Sequence, residues 1–153
     1  MNKAAIIEAI RSALREEFET FQNSSKQTRA AGNDPESKSE GKYDTRSIEE
    51  NYLADGLAKQ ALASAEAAAA YEKLELHPFD AETPLDLGAL VHLKFPDETL
   101  WFFLGPSGGG IEVNCDGAMI TVVTPESPLG SQLLGRKVGE ETTSTRARIL
   151  AAE

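Results

Sequence analysis

Residues 32–44, GNDPESKSEGKYD, decide the fold, because they interrupt two long stretches that otherwise read as continuous helix. Gly32, Asn33 and Pro35 are helix breakers, and no large apolar side chain follows them until Tyr43. Upstream, Lys3 to about Ala31 contains no proline, and Ile7, Ile10, Leu14, Phe18 and Phe21 recur every three to four residues, the spacing of one helical face. Some 28 residues at 1.5 Å each would extend about 42 Å, longer than a small domain is wide. Such a helix needs a partner along its length. Downstream, Thr45 to Leu76 supplies one: Ile48, Tyr52, Leu62, Ala63, Ala67, Ala70 and Leu74 give a second stripe, and KQALASAEAAAAYEKL is rich in the best helix former. The pattern predicts an antiparallel two-helix coiled coil over residues 1–77, with its tip near 32–44. Gly56, inside the second helix, is expected to mark a bend or a close contact with the first.

The pattern changes after the two prolines of HPFDAETP, so residues 78–85 read as a linker. LGALVHLKF and TLWFFLG are β-branched and aromatic runs joined by PDE, a hairpin signal. GPSGGG reads as a second hairpin turn, followed by strands at IEVN and MITVVT and a last strand in STRARILAAE. In SPLGSQLLG, Ser127 suits an N-cap, Pro128 the first helical position and Gly135 the stop. Residues 86–153 therefore predict a small domain of mainly antiparallel sheet plus one short helix. The fold class of the whole chain is α+β.

The chain has 153 residues, is 41% hydrophobic and 26% charged, and carries a formal net charge of −10 with a pI near 4.7. That charge disfavours wrapping of a nucleic-acid backbone and suits a partner with a basic surface or a metal ion. The first residues gain charges too early for a signal peptide, and no run approaches the roughly 20 apolar residues that cross a bilayer, so a cytoplasmic location without a membrane partner is expected. Cys115 stands alone, which excludes an internal disulfide or a cysteine-based zinc site and predicts a small buried hydrophobe. His77 and His92 lack metal-ligand spacing, and His92 fits a partly buried strand position. Of Trp101, Phe102 and Phe103, two are expected in the core and one facing a partner. GPSGGG lacks the lysine and following helix of a phosphate loop, and Ser127 lacks the histidine and acid of a nucleophile.

The stretch TPESPLGSQLLGRKVGEE, residues 124–141, closely resembles the C-terminal signature of the bacterial Gre-type transcript-cleavage factors. The resemblance implies an N-terminal antiparallel coiled coil and a C-terminal FKBP-like domain. It further implies that the C-terminal domain docks at the rim of the RNA polymerase secondary channel, with Pro125, Glu126, Ser127, Pro128, Arg136 and Lys137 as polymerase-binding candidates. The coiled coil would then reach toward the active site, where acidic tip residues help hold the second Mg²⁺ and its water during hydrolysis of backtracked RNA. Aligning Tyr43 with the family's tip tyrosine puts Glu36 at its aspartate position and Ser39 at its glutamate position, with Glu40 one residue later. Glu36 and Glu40 are thus the candidates for assisting catalysis, and Asp34, Tyr43, Asp44 and Arg46 the further tip candidates; Lys38, Lys42 and Arg46 interleave opposite charge. The chain would be a monomer with no cofactor of its own, using the polymerase's Mg²⁺ if cleavage is stimulated and meeting RNA only indirectly. Three alternatives stand beside this reading: a non-cleaving competitor for the polymerase, an FKBP-like peptidyl-prolyl isomerase, and a module that self-associates through the hairpin.

Overall fold

The computed structural model describes residues 1–32 and 45–153, in two compact units. One unit combines Met1–Ala13 with Ala67–Glu153, and the other is the described part of Leu14–Glu66. The elements in chain order are α1 (Lys3–Gly32), α2 (Thr45–Glu72), β1 (Leu90–Lys94), β2 (Thr99–Leu104), β3 (Glu112–Cys115), β4 (Ala118–Val123), α3 (Pro128–Leu133) and β5 (Arg148–Ala152). Two long helices thus precede a five-stranded sheet and a short helix, an α+β chain as the sequence predicts. The breaker Gly32 closes α1, and α2 opens at Thr45.

Within Leu14–Glu66, side chains tie α1 to α2 at successive levels. Ser64 Oγ donates to Glu17 at 3.3 Å, Ser25 Oγ to the Ala54 carbonyl at 2.7 Å, Arg29 pairs with Asp55 at 2.6 Å, and Ser47 Oγ donates to the Gly32 carbonyl at 2.7 Å. The α2 partner falls from 64 to 47 as the α1 partner rises from 17 to 32, so the helices run antiparallel. Their shared seam is made of small residues. Ser25 and Gly32 of α1 are buried, as are Ala54, Ala61 and Ser64 of α2; Leu14 is the large exception. Side chains at the contact set how near two helix axes can come, and these allow a close approach.

The seam is not the stripe expected on α2. Ile48, Tyr52 and Leu62 are 56%, 74% and 60% exposed. At 100° per residue Ile48 and Tyr52 fall about 120–180° from Ala54 and Ala61, away from the seam. Leu62 falls at its flank, about 80–100° from the same two residues, where it lines a small cleft with Phe18, Ser25 and Ala61. Helices in contact through small residues leave no room for these side chains on the seam itself. Gly56 is exposed and a Cβ there would meet nothing within 4 Å, so it marks no contact, and α2 continues through it. This phase has a direct test in urea unfolding of the full chain: Ala54→Leu should cost about 1–3 kcal/mol by overpacking the seam. Tyr52→Ala on the outer face, where Tyr52 is 74% exposed, should stay within about 0.5 kcal/mol of the parent.

In the unit formed by Met1–Ala13 and Ala67–Glu153, the strand order is β3-β4-β2-β1-β5. β1 pairs antiparallel with β2 and with β5, the latter with a bulge between His92 and Leu93, and β3 pairs antiparallel with β4. The fourth pairing, β2 with β4, is parallel. GPSGGG is therefore no hairpin turn. It carries the chain past β4 instead, with Gly105 N–H donating to the Val123 carbonyl at 2.9 Å and Gly110 N–H to the Val122 carbonyl at 2.8 Å. One sheet face packs Val91, Leu93, Phe102, Leu104, Val123 and Ile149 against Leu133 of α3. Phe79 and Leu85, from the stretch expected as a linker, join that core at 6% and 1% exposure. Leu85 also exchanges backbone bonds with Gly135 and Arg136, at 2.8 and 2.7 Å. Residues 78–85 are part of the packed unit. Phe102 and Phe103 are buried, whereas half-exposed Trp101 stacks on His92 with centroids 4.3 Å apart. Cys115 ends the edge strand β3 half-buried, more open than the buried hydrophobe expected.

Tyr71, near the end of α2, lies 6.5 Å ring to ring from Phe103 and donates its hydroxyl to the Ser107 carbonyl at 2.7 Å. A Cβ on Gly105 would lie 2.3 Å from that hydroxyl, so only glycine fits beneath it. Burial pushes the Tyr71 hydroxyl well above its ordinary value of 10.0. The unfolded chain therefore ionises first: the contribution is complete below about pH 10 and is lost as pH rises from there toward the folded value. Tyr71→Phe should cost about 0.5–1.5 kcal/mol at neutral pH. It should also flatten the alkaline fall in stability, read from denaturant midpoints between pH 8 and 11.

Candidate functional site

The segment Thr124–Lys137 builds itself from local chemistry. Ser127, with extended backbone, caps α3: its hydroxyl accepts from Gly130 N–H at 3.0 Å and donates to the Thr124 carbonyl at 2.7 Å. Pro128 occupies the first turn, where a missing N–H costs nothing. Gly130 is obligatory, since a Cβ there would stand 1.9 Å from the Thr124 carbonyl oxygen. Gly135, with φ 76°, follows the helix in the left-handed region that favours glycine. With both hydroxyl roles of Ser127 occupied in capping, no base stands ready to activate it.

Around this turn, Pro125 and Ser127 are half-buried and Glu126 and Pro128 are exposed. Glu126, Ser127 and Leu129 border an open cleft of ≈ 750 Å³ whose other wall is the Pro106–Gly110 loop. Arg136 and Lys137, expected to stand free beside Gly135, are half-buried and engaged. Arg136 Nε donates to the Gln132 carbonyl at 2.7 Å and its guanidinium reaches Thr143 at 3.3 Å. Lys137 Nζ lies 3.6 Å from the Glu82 carboxylate, and its backbone N–H donates to Glu140 at 2.8 Å. Leu133 is fully buried and Leu134 packs beside the core.

Sequence reasoning passed over Gln132. Its amide donates to the Pro128 carbonyl at 2.9 Å and accepts from Ser144 N–H at 2.9 Å, joining the capped turn to the loop after it. Nothing in the spacing marks a glutamine whose partner lies twelve residues away. Glu82 and Asp80 were likewise hidden in the supposed linker. The Thr83 hydroxyl, then the backbone N–H groups of Glu82 and Thr83, hold the Asp80 carboxyl below its ordinary value.

The other candidates belong to the turn between α1 and α2. Asp34, Glu36, Glu40, Tyr43 and Asp44 lie outside the described residues. Arg46 is described: it is 82% exposed and pairs with Glu50 at 3.1 Å, one helical turn on. Among the described residues no group of three or more histidine, cysteine or acidic side chains could hold a metal ion. Nor is any helix there long and apolar enough to cross a membrane.

No protein-family model and no curated protein matches this chain. Two solved structures are similar to it. One is described as the GreA factor homolog 1 (Gfh1) protein of Thermus thermophilus, at 20% identity over 96% of this chain and 94% of that chain, with a TM-score of 0.36. The other is described as the transcription factor Gfh1, at 17% identity over 96% and 92%, also with a TM-score of 0.36.

The capped turn makes two quantitative expectations for thermal unfolding. Ser127→Ala should cost about 0.5–2 kcal/mol, the usual loss of an N-cap. Gly130→Ala should cost more, at least about 3 kcal/mol, because its clash is with backbone that a side-chain rotation cannot relieve; a Gly130→Ala midpoint equal to the parent's would refute the close approach.

Proposed function

We infer that the chain is a Gre-like transcription elongation regulator that binds RNA polymerase at its secondary channel. The observation that carries the reading is the antiparallel pairing of α1 and α2 up to the Ser47–Gly32 bond. All four carboxylates of GNDPESKSEGKYD, Asp34, Glu36, Glu40 and Asp44, belong to the residues that join the two helices there. The signature-like stretch 124–141 supports it from the other unit, where Ser127, Pro128 and Gly130 of the Ser-Pro-Leu-Gly run each have a physical task. Docking then falls to Pro125, Glu126, Ser127 and Pro128, with Arg136 and Lys137 beside them. On this reading the helical pair is a coiled coil and the other unit is FKBP-like, serving attachment rather than isomerisation.

The chemistry asked of the turn is modest. Hydrolysis of a phosphodiester by two metals needs oxygen ligands for a hard cation that binds weakly alone, and carboxylates supply them. The Mg²⁺ and the catalysis belong to the polymerase; Glu36 and Glu40 would contribute oxygens and negative potential. Of the interleaved cations, Arg46 is already offset by Glu50, which leaves Lys38 and Lys42 to weaken the field. Ser39, at the position where the family has its glutamate, favours a second reading: a regulator that occupies the channel without stimulating cleavage and competes with factors that do.

Capture of purified core polymerase by the full chain, competed by an authentic cleavage factor, tests the shared part of both readings; no capture ends them together. Transcript cleavage in stalled complexes separates them. The Glu36→Ala, Glu40→Ala double variant should lower stimulated cleavage by tenfold or more, about 1.4 kcal/mol in barrier, while capture is unchanged. A parent protein that is captured yet leaves cleavage at its basal rate is the competitor.

A further inference from the structure

β5 ends the strand order, and its first residue, Arg148, stands directly opposite Lys94 of β1 on one side and bridges Glu141 through the backbone on the other. Like charges directly opposed on an antiparallel pair weaken it. A third cation, Arg146, lies two residues upstream with φ 51°, a left-handed conformation that arginine seldom adopts. The turn that holds it is secured from inside. Thr142 is 2% exposed, and its hydroxyl accepts from Ala147 N–H at 3.0 Å and meets the Thr145 hydroxyl at 2.6 Å. Lys94, Arg146 and Arg148 line one cleft of ≈ 350 Å³ with the apolar side chains of Phe95, Pro96 and Leu150, and with a single carboxylate, Glu141.

None of these three cations makes an ion pair among the described residues, although Arg11, Arg29, Arg46 and Lys137 all find one. The chain has 25 acidic residues against 15 basic, so acids to pair them are plentiful. Three unpaired cations are nevertheless gathered in one place, two of them in register and the third on an unfavourable backbone. Such an arrangement lowers the stability of the isolated chain and gains only when an anion arrives.

We propose that this cleft docks an acidic peptide segment of a partner protein, one that carries an aliphatic or aromatic side chain among its carboxylates. The carboxylates meet Lys94, Arg146 and Arg148, and the apolar side chain lies on Phe95, Pro96 and Leu150. A nucleic acid fits less well, because its backbone offers no apolar group for the wall of Phe95, Pro96 and Leu150. The proposal stands independently of the polymerase reading.

Fluorescence anisotropy with the full chain tests it, using a labelled ten-residue peptide of glutamate and leucine, the same peptide with serine for leucine, a labelled twelve-nucleotide RNA, and inorganic phosphate as competitor. The glutamate-leucine peptide should bind best, and Arg146→Gly, which suits the left-handed backbone and should keep or raise the melting temperature, should weaken it about tenfold. Lys94→Glu should abolish binding while raising the melting temperature by roughly 1–3 °C, since it turns the opposed pair into an attractive one. The proposal is overturned if the peptide does not bind, if RNA binds better, or if serine replaces leucine without loss. It is equally overturned if millimolar phosphate displaces the peptide, if Arg146→Gly binds as the parent does, or if Lys94→Glu lowers the melting temperature.

Discussion

Two helices can lie side by side in Leu14–Glu66 only as closely as the residues between them permit, and here the buried ones, Leu14 apart, are serine, glycine and alanine. That constraint organises the rest of this unit. It lets the Ser25 hydroxyl reach a carbonyl of the facing helix and the Ser47 hydroxyl another, so that polar seam positions are satisfied by backbone rather than left to cost desolvation energy. Direct serine-to-carbonyl bonds of 2.7 Å also fix register, which an alanine surface alone does not. The exposed ion pair Arg29–Asp55 adds little energy, of order 1 kcal/mol or less, but agrees with the same register.

Why the helices were legible and their facing side was not follows from the same chemistry. α1 carries large apolar residues at three-to-four spacing, and Ile10 and Leu14 of that stripe are buried, with Ile7, Phe18 and Phe21 half-buried beside them. α2 is alanine-rich all round, so its hydrophobic pattern has almost no preferred direction. The few large residues, Ile48, Tyr52 and Leu62, then dominate any reading of the sequence, although volume excludes them from a close seam. A helix that approaches another through its small residues keeps those inside and leaves its flanks and outer face to the large ones. The outward apolar face is thus a consequence of the seam and does not by itself call for a partner.

In the other unit, what could be read was local and what could not was long-range. The cap, the proline and the closing glycine of α3 all fall within the nine residues 127–135, and all three are where the sequence places them. The β1–β2 hairpin follows the same rule, with Phe95 N–H bonded to the Glu98 carbonyl at 2.8 Å. The parallel pairing of β2 with β4 is different in kind. A connection as short as residues 105–111 between two strands reads as a hairpin, yet β3 here takes the outer position and leaves β4 beside β2. No dipeptide in GPSGGG encodes that choice. It rests on how Val122 and Val123 bury against both neighbours.

The same distinction bears on candidate function. Side chains that look available in a sequence are those whose partners are distant in it, and Arg136 and Lys137 show how misleading this is. Their neighbours Gly135 and Val138 carry no acid, but folding brings Gln132 and Thr143 to one and Glu82 to the other. Lys94, Arg146 and Arg148 carry no signal in the sequence, being 54 residues apart at the extremes and flanked only by uncharged residues, Leu93 and Phe95, Thr145, Ala147 and Ile149. Pairing β1 with β5 brings their charges together, with no ion pair to any of them among the described residues. Availability is therefore a property of the folded surface, decided by which charges the topology leaves unmatched, and in this chain the mainly acidic composition makes an unmatched basic cluster the more informative exception.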